Sequence, residues 1–374
     1  MRLRPSFPSF APLLLAVAFG CQKEQPQPSA EPAASLEKPS TIDPALAKAV
    51  AAASAAAGRA APASSGGPPP KGVFGPGEAD RQIKKGDPPI VTLGSNGSEP
   101  RVTLGPLQPK PGWKTSGTVQ VAVQADARQG ALPIDLGVAL EAQKPKNADA
   151  DAGTPAAVTV VAKITSARIG VTGVPAELSS RVEKLKGSRV EYQVFPDGSG
   201  TGFHQEITPG AEEARDQLRV LSDMLALVTL PVPNQPLGQG AFWLTTSREG
   251  VFGLDLVTYR MVKVEQASEF AVTLSVSTKR YATNNRFDFQ GLPPDAPHDL
   301  VEFESKSEGR LEFRLGTTFP ESGEVQSLLA AGLATNGQQR GMLQIQSRVG
   351  LDFRGAAGAA PKPGAAPKAG TAPR

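Results

Sequence analysis

From residue 101 to residue 354 apolar and polar side chains alternate with a period of two, and this pattern limits the fold more than any motif does. Val119, Val121 and Val123 alternate with Gln120 and Gln124, and Leu136, Val138 and Leu140 with Asp135 and Glu141. Phe270, Val272, Leu274 and Val276 alternate with Glu269, Thr273 and Ser275. Near the end, Leu343, Ile345, Val349, Leu351 and Phe353 share one face, with Gln344, Gln346, Arg348 and Asp352 on the other. Each run reads as a strand with one buried face. Two hairpins are expected: Val190 to Ile207 around the turn Pro196-Asp197-Gly198-Ser199-Gly200, and Val301 to Leu315 around Lys306-Ser307-Glu308-Gly309.

One helix interrupts the strands near 209–229. Thr208 is placed as an N-cap, Pro209 suits the first helical position, Glu212 and Glu213 fall in the first turn, and Leu218, Leu221, Leu225 and Val228 form an apolar stripe that Pro231 ends. So many one-faced strands cannot be covered by a single flanking helix, so the sheet must curl on itself or wrap that helix. The expected fold is mainly β, a curved antiparallel sheet or half-open barrel wrapped around one helix, with a two-sheet β-sandwich as the alternative.

The flanks are of different composition. Residues 21–100 and 355–374 are dominated by Ala, Pro, Ser and Gly, as in Ser64-Ser65-Gly66-Gly67-Pro68-Pro69-Pro70. Such stretches bury too little apolar surface to offset their ordering entropy, so they read as a disordered tether and tail around a single domain at 101–354. Lys plus Arg (39) nearly balances Asp plus Glu (36), which leaves no basic field for nucleic acid. One cysteine and two histidines leave too few ligands for a disulfide framework or a zinc cage, and no cofactor is expected.

Residues 1–20 have signal-peptide anatomy: Arg2 and Arg4, a mostly apolar run from Ala11 to Phe19, then small residues before Cys21. The run is about half of the ~20 residues a spanning helix needs. Ala18-Phe19-Gly20-Cys21 resembles the lipobox of bacterial lipoproteins, although Ala18 and Phe19 stand where that pattern has Leu and a small residue. The resemblance implies acyl chains on Cys21, the chain's link to a membrane. Gln22, in place of the Asp that resembles an inner-membrane retention signal, leans towards the outer membrane. Cleavage after Ala16-Val17-Ala18, with Phe19 as the first mature residue, is the competing reading.

After the helix come Leu230-Pro231-Val232-Pro233 and Pro236-Leu237-Gly238-Gln239-Gly240-Ala241-Phe242-Trp243. This run resembles a motif of an uncharacterised bacterial lipoprotein family, a helix, a Leu-Pro step and a Gly-x-Gly-x-x-Trp entry into a strand, over Leu185 to Tyr281. The shape this implies is similar to lipoprotein-carrier-like half-barrels that hold acyl chains, a likeness of fold and not of chemistry. Trp243 and Phe242, with Leu221 and Leu225 of the helix, are the candidates for a core or an apolar ligand pocket, and the Trp243 indole N–H needs a partner. Gly238 and Gly240 are expected to let a loop approach the sheet closely.

Catalytic signatures are weak. Gly198-Ser199-Gly200 sits in a hairpin turn and not at a nucleophile elbow, and His204 and His298 have no carboxylate and nucleophile at an interpretable spacing. Asp149-Ala150-Asp151-Ala152-Gly153 lacks the later ligands of a calcium loop, and Glu302, Glu304 and Glu312 read as a solvated sheet face. The expectation is therefore a non-enzymatic, exported, lipid-anchored protein that binds an apolar ligand or lipid, or a tethered structural or interaction module that meets an envelope protein.

Overall fold

The computed structural model describes residues 69, 71–105, 107–124, 131–144, 157–251, 254–286, 299–335 and 338–354. They hold twelve strands: β1 (Ile90–Ser95), β2 (Lys114–Gln124), β3 (Leu132–Gln143), β4 (Val158–Ile169), β5 (Arg189–Val194), β6 (Gly200–Glu206), β7 (Phe242–Val251), β8 (Leu254–Ala267), β9 (Ala271–Ala282), β10 (Asp299–Arg314), β11 (Ser322–Thr335) and β12 (Gln338–Asp352). Three helices accompany them: α1 (Glu78–Gln82), α2 (Ala176–Glu183) and α3 (Arg215–Val228). All strands join one antiparallel sheet in the order β1-β7-β8-β9-β10-β11-β12-β2-β3-β4-β5-β6. Two meanders, β2 to β6 and β7 to β12, meet at the β12–β2 pair, and β1 is added beside β7. The outer strands β1 and β6 do not pair with each other, so the sheet is not closed into a barrel.

The alternation seen in the sequence decides which face turns inward. Ile134, Leu136, Val138, Leu140 and Ala142 of β3 are all buried, with Asp135, Gly137, Ala139 and Glu141 only partly so. The same core takes Leu274 of β9, five strands away, together with Leu218, Leu221 and Leu225 of α3. A flat sheet would hold β3 and β9 ~24 Å apart at ~4.8 Å per strand, so the sheet curls around the helix. Single-sheet curvature around α3 is thus the fold, as expected, and a two-sheet sandwich is not.

Strand β8 departs from alternation because it is covered on both faces, as central strands of layered sheets are. Its outer residues Val257, Tyr259 and Met261 pack with Leu244 and Tyr281 under Phe74, Ala79 and Ile83. The segment carrying Phe74 inserts where β9 and β10 diverge: Phe74 N–H donates to Ala282 O (2.8 Å), Ala282 N–H to Gly72 O (2.9 Å) and Phe303 N–H to Lys71 O (2.9 Å). Gly72 has φ +72°, and a Cβ there would overlap the Phe303 carbonyl.

Three expectations need correction. The ordered domain begins well before residue 101, since residues 71–87 cover the sheet and β1 lies at 90–95, inside the stretch read as tether. Val73, Phe74, Ile83, Ile90, Val91 and Leu93 are the few large apolar residues there, and their segments dock on an existing sheet although they form no core of their own. Lys306 to Gly309 is not a turn. It runs through the middle of β10, paired with Val276–Lys279 of β9 and Val325–Leu328 of β11. Helix α3 begins at Arg215 after a 3-10 turn at Glu212–Ala214, and Thr208 does not cap it. Thr208 instead bonds back to Lys186 and Ser188, and Gly210, at φ +84°, redirects the chain after Pro209. The hairpin of β5 and β6 and the strands around Val121, Leu136, Leu274 and Val349 form where alternation puts them.

Candidate functional site

The inner face is not uniformly apolar. In-register partners across six strands form a polar row: Thr245, Arg260, Thr278, Ser307, Ser327 and Ser347. A second row lies beside it, with Ser247, Thr258, Arg280 and Ser305 opposite one another on β7 to β10. Along β8 this belt separates Val262 and Val264, in the core around α3, from Leu254 and Leu256, in a second apolar cluster with Leu300, Phe303 and Leu333.

Two arginines dominate the belt, each only 2% exposed. Arg280 grips Asp223 of α3 with both terminal nitrogens, Nη2 at 2.6 Å and Nη1 at 3.3 Å. Arg260 Nη2 donates to the Ala226 carbonyl of the same helix (3.2 Å) and to Glu249 Oε1 (3.2 Å). Glu249 also accepts from Ser247 Oγ (2.7 Å) and Thr258 Oγ1 (3.1 Å), and Arg280 stands 3.9 Å from its other oxygen. Burial alone would push the Glu249 carboxyl up, but the two guanidinium groups and the two hydroxyls outweigh it and hold the group below the usual carboxylate range. Burial also pulls the Arg260 guanidinium down, aided by Arg280, whereas Asp223 and Glu249 outweigh burial at Arg280 and raise it.

A separate cleft of about 30 Å³ lies at the end of α3. Trp113, Val160, Tyr192, Val228, Leu274 and Phe319 are among its walls. Burial raises the Tyr192 phenol, so it stays protonated there.

The sequence-derived candidates are placed as follows. Trp243, Leu221 and Leu225 are buried together in the core around α3, and Trp243 Nε1 donates to Pro231 O (2.9 Å). Phe242 points to the other face, half-exposed, with its ring where a Cβ on Gly94 would lie. None of the four lines the cleft. Gly238 lies against the Ser98 carbonyl, where a Cβ would overlap, and Gly240 has φ +79°. His204, Glu302, Glu304 and Glu312 are exposed on strands. Cys21, His298 and Asp149 to Asp151 lie outside the described residues.

Sequence reasoning missed the belt, although the signal is present. Arg260 is in phase with Leu256 and Val262, Arg280 with Val276 and Ala282, and Asp223 lies in the stretch Val220 to Val228, which is apolar but for Ser222 and Asp223. Charges at core positions mark a buried network. Among the described residues His, Cys, Asp and Glu nowhere gather in threes as a metal site requires, and no helix is long and apolar enough to cross a membrane. No protein-family model matches the chain, and no curated protein matches it.

Proposed function

We propose that this chain is an exported, lipid-anchored envelope protein whose β-domain binds an apolar ligand against the inner face of its sheet. The observation that carries the ligand-binding part of this reading is the open edge of the sheet, and the anchoring part rests on the sequence around Cys21. Because β1 and β6 are not hydrogen-bonded to each other, the sheet walls can part around α3 without breaking a strand ladder, which a closed barrel cannot do. The cleft at the end of α3, with aliphatic and aromatic walls, suits the entry of an alkyl chain. At about 30 Å³ it is an order of magnitude below the ~300–1,000 Å³ of ligand pockets, so a bound chain requires that opening.

The same small volume favours a second reading, a tethered interaction module that meets an envelope protein through its surface and needs no cavity. Purification from membranes followed by lipid mass spectrometry separates the two. Co-purifying lipid, and protection of cleft residues from hydrogen exchange on adding it, support the first; an empty protein with a crosslinked envelope partner supports the second. Anchoring has its own test. Incorporation of labelled fatty acid should be lost, and the protein released from membranes, in Cys21→Ser, whereas an unmodified chain starting at Phe19 would refute lipid attachment.

A further inference from the structure

The belt contains more hydrogen-bond donors than it uses. Arg260 Nε, Arg280 Nε, Thr245 Oγ1, Thr278 Oγ1 and Ser307 Oγ are all buried and have no partner in the protein. All five belong to residues at least nine-tenths buried, and Thr245, Arg260, Thr278 and Ser307 are successive partners on four adjacent strands. Guanidinium N–H groups can only donate, so whatever completes this site must accept. Unpartnered buried donors are rare in folded proteins and point to a missing water or ligand group.

Charge decides the chemical class. Arg260 and Arg280 already face Asp223 and Glu249, two cations against two carboxylates. A further anion would sit uncompensated in an interior site, at a large desolvation cost. A neutral acceptor meets the donors with no such cost. Apolar clusters flank the belt on both sides, so a ligand that reaches it lies against apolar side chains and carries hydrocarbon of its own. Leu274 of the cleft is four residues from Thr278 of the belt, ~14 Å along β9 at ~3.4 Å per residue, so one chain can join the two.

Resting on the proposed apolar-ligand function, we infer that the belt is the polar half of that site and takes the ester carbonyl of a neutral lipid. The test uses the purified full chain in detergent, with native mass spectrometry against three probes of matched chain length: methyl palmitate, palmitate and hexadecane. The ester should be retained about tenfold better than the alkane, the worth of one or two hydrogen bonds, and better than the anion. Thr278→Val with Ser307→Ala should bring retention of the ester down to that of the alkane; if that variant does not fold, the three probes on the unsubstituted chain decide alone. Equal retention of ester and alkane overturns the inference and leaves the apolar-ligand reading standing. Preference for the anion, or a high-resolution structure with water alone on the belt after soaking with the ester, also overturns it. Retention of no probe overturns both.

Discussion

Asp223→Asn tests whether the buried charge pair fixes α3 to the sheet. The substitution keeps the shape of the side chain and removes its charge, leaving the Arg280 guanidinium, 2% exposed, facing a neutral amide. Removing one partner of a buried pair typically costs ~3–5 kcal/mol, a large share of the ~5–15 kcal/mol that stabilises a domain. The lower end is expected, about 3 kcal/mol, because Glu249 stands 3.9 Å from Arg280 and still offsets part of its charge. With a urea m-value of about 3 kcal/mol/M the midpoint should fall by about 1 M at unchanged m. Trp243, buried beside the C-terminal end of α3 with its indole bonded to Pro231, supplies the fluorescence readout. The double substitution Asp223→Leu with Arg280→Met should recover most of the loss, since apolar replacement of a buried pair is often neutral. A midpoint change under about 0.3 M in Asp223→Asn would refute the reasoning, because it is the size expected of an exposed pair.

Gly72→Val places a Cβ against the Phe303 carbonyl at a φ of +72°, so the strap formed by residues 71–87 over β8 should detach. Trypsin should then cut faster at Arg81, Lys84 and Lys85, with about 1–3 kcal/mol lost; unchanged cleavage would mean the strap is not held there. Trp243→Phe removes the donor to Pro231 O in the core and should cost about 1–3 kcal/mol by calorimetry. Glu249 is held below the ordinary carboxylate range, so its contribution is present above the unfolded value near ~4.3 and is lost as pH falls through the lower folded value. Stability should therefore stay level from pH 7 to about 5 and decline in acid. Glu249→Gln should flatten that decline, and an equal acid slope in both proteins counts against the assignment.

Legibility from sequence followed the physics of each face. Where one face meets the core and the other meets water, as in β3, alternation gives both the strand and its orientation. It fails where that condition fails. β8 is covered twice, so apolar residues fill both of its faces and alternation does not mark it, and the polar middle of β10 looks like a turn because its inner residues join the belt while Glu308 and Arg310 face solvent. The strap and β1 were hidden for a different reason. Their few apolar residues are stabilised only by a sheet made elsewhere in the chain, which local composition does not report. Trp243 was legible as a large apolar side chain whose N–H needs an acceptor, although core and ligand pocket stayed open and Pro231 as the acceptor was not readable.

The belt also accounts for how a helix with an apolar stripe comes to occupy one position in a curved sheet. Leu218, Leu221 and Leu225 bury area without direction, and a shift of α3 along its axis would exchange one leucine contact for another. The bonds from Arg280 to Asp223 and from Arg260 to Ala226 O do have direction, and both link the C-terminal half of α3 to adjacent positions on β8 and β9. A helix displaced by one turn, ~5.4 Å, would break both bonds and leave Glu249 of β7 as the carboxylate facing the two arginines. The leucines supply the larger part of the attachment and the arginines choose its register. Replacing all four charges by aliphatic residues should therefore leave overall stability near its starting value and broaden the methyl resonances of Leu221 and Leu225, as α3 samples neighbouring registers.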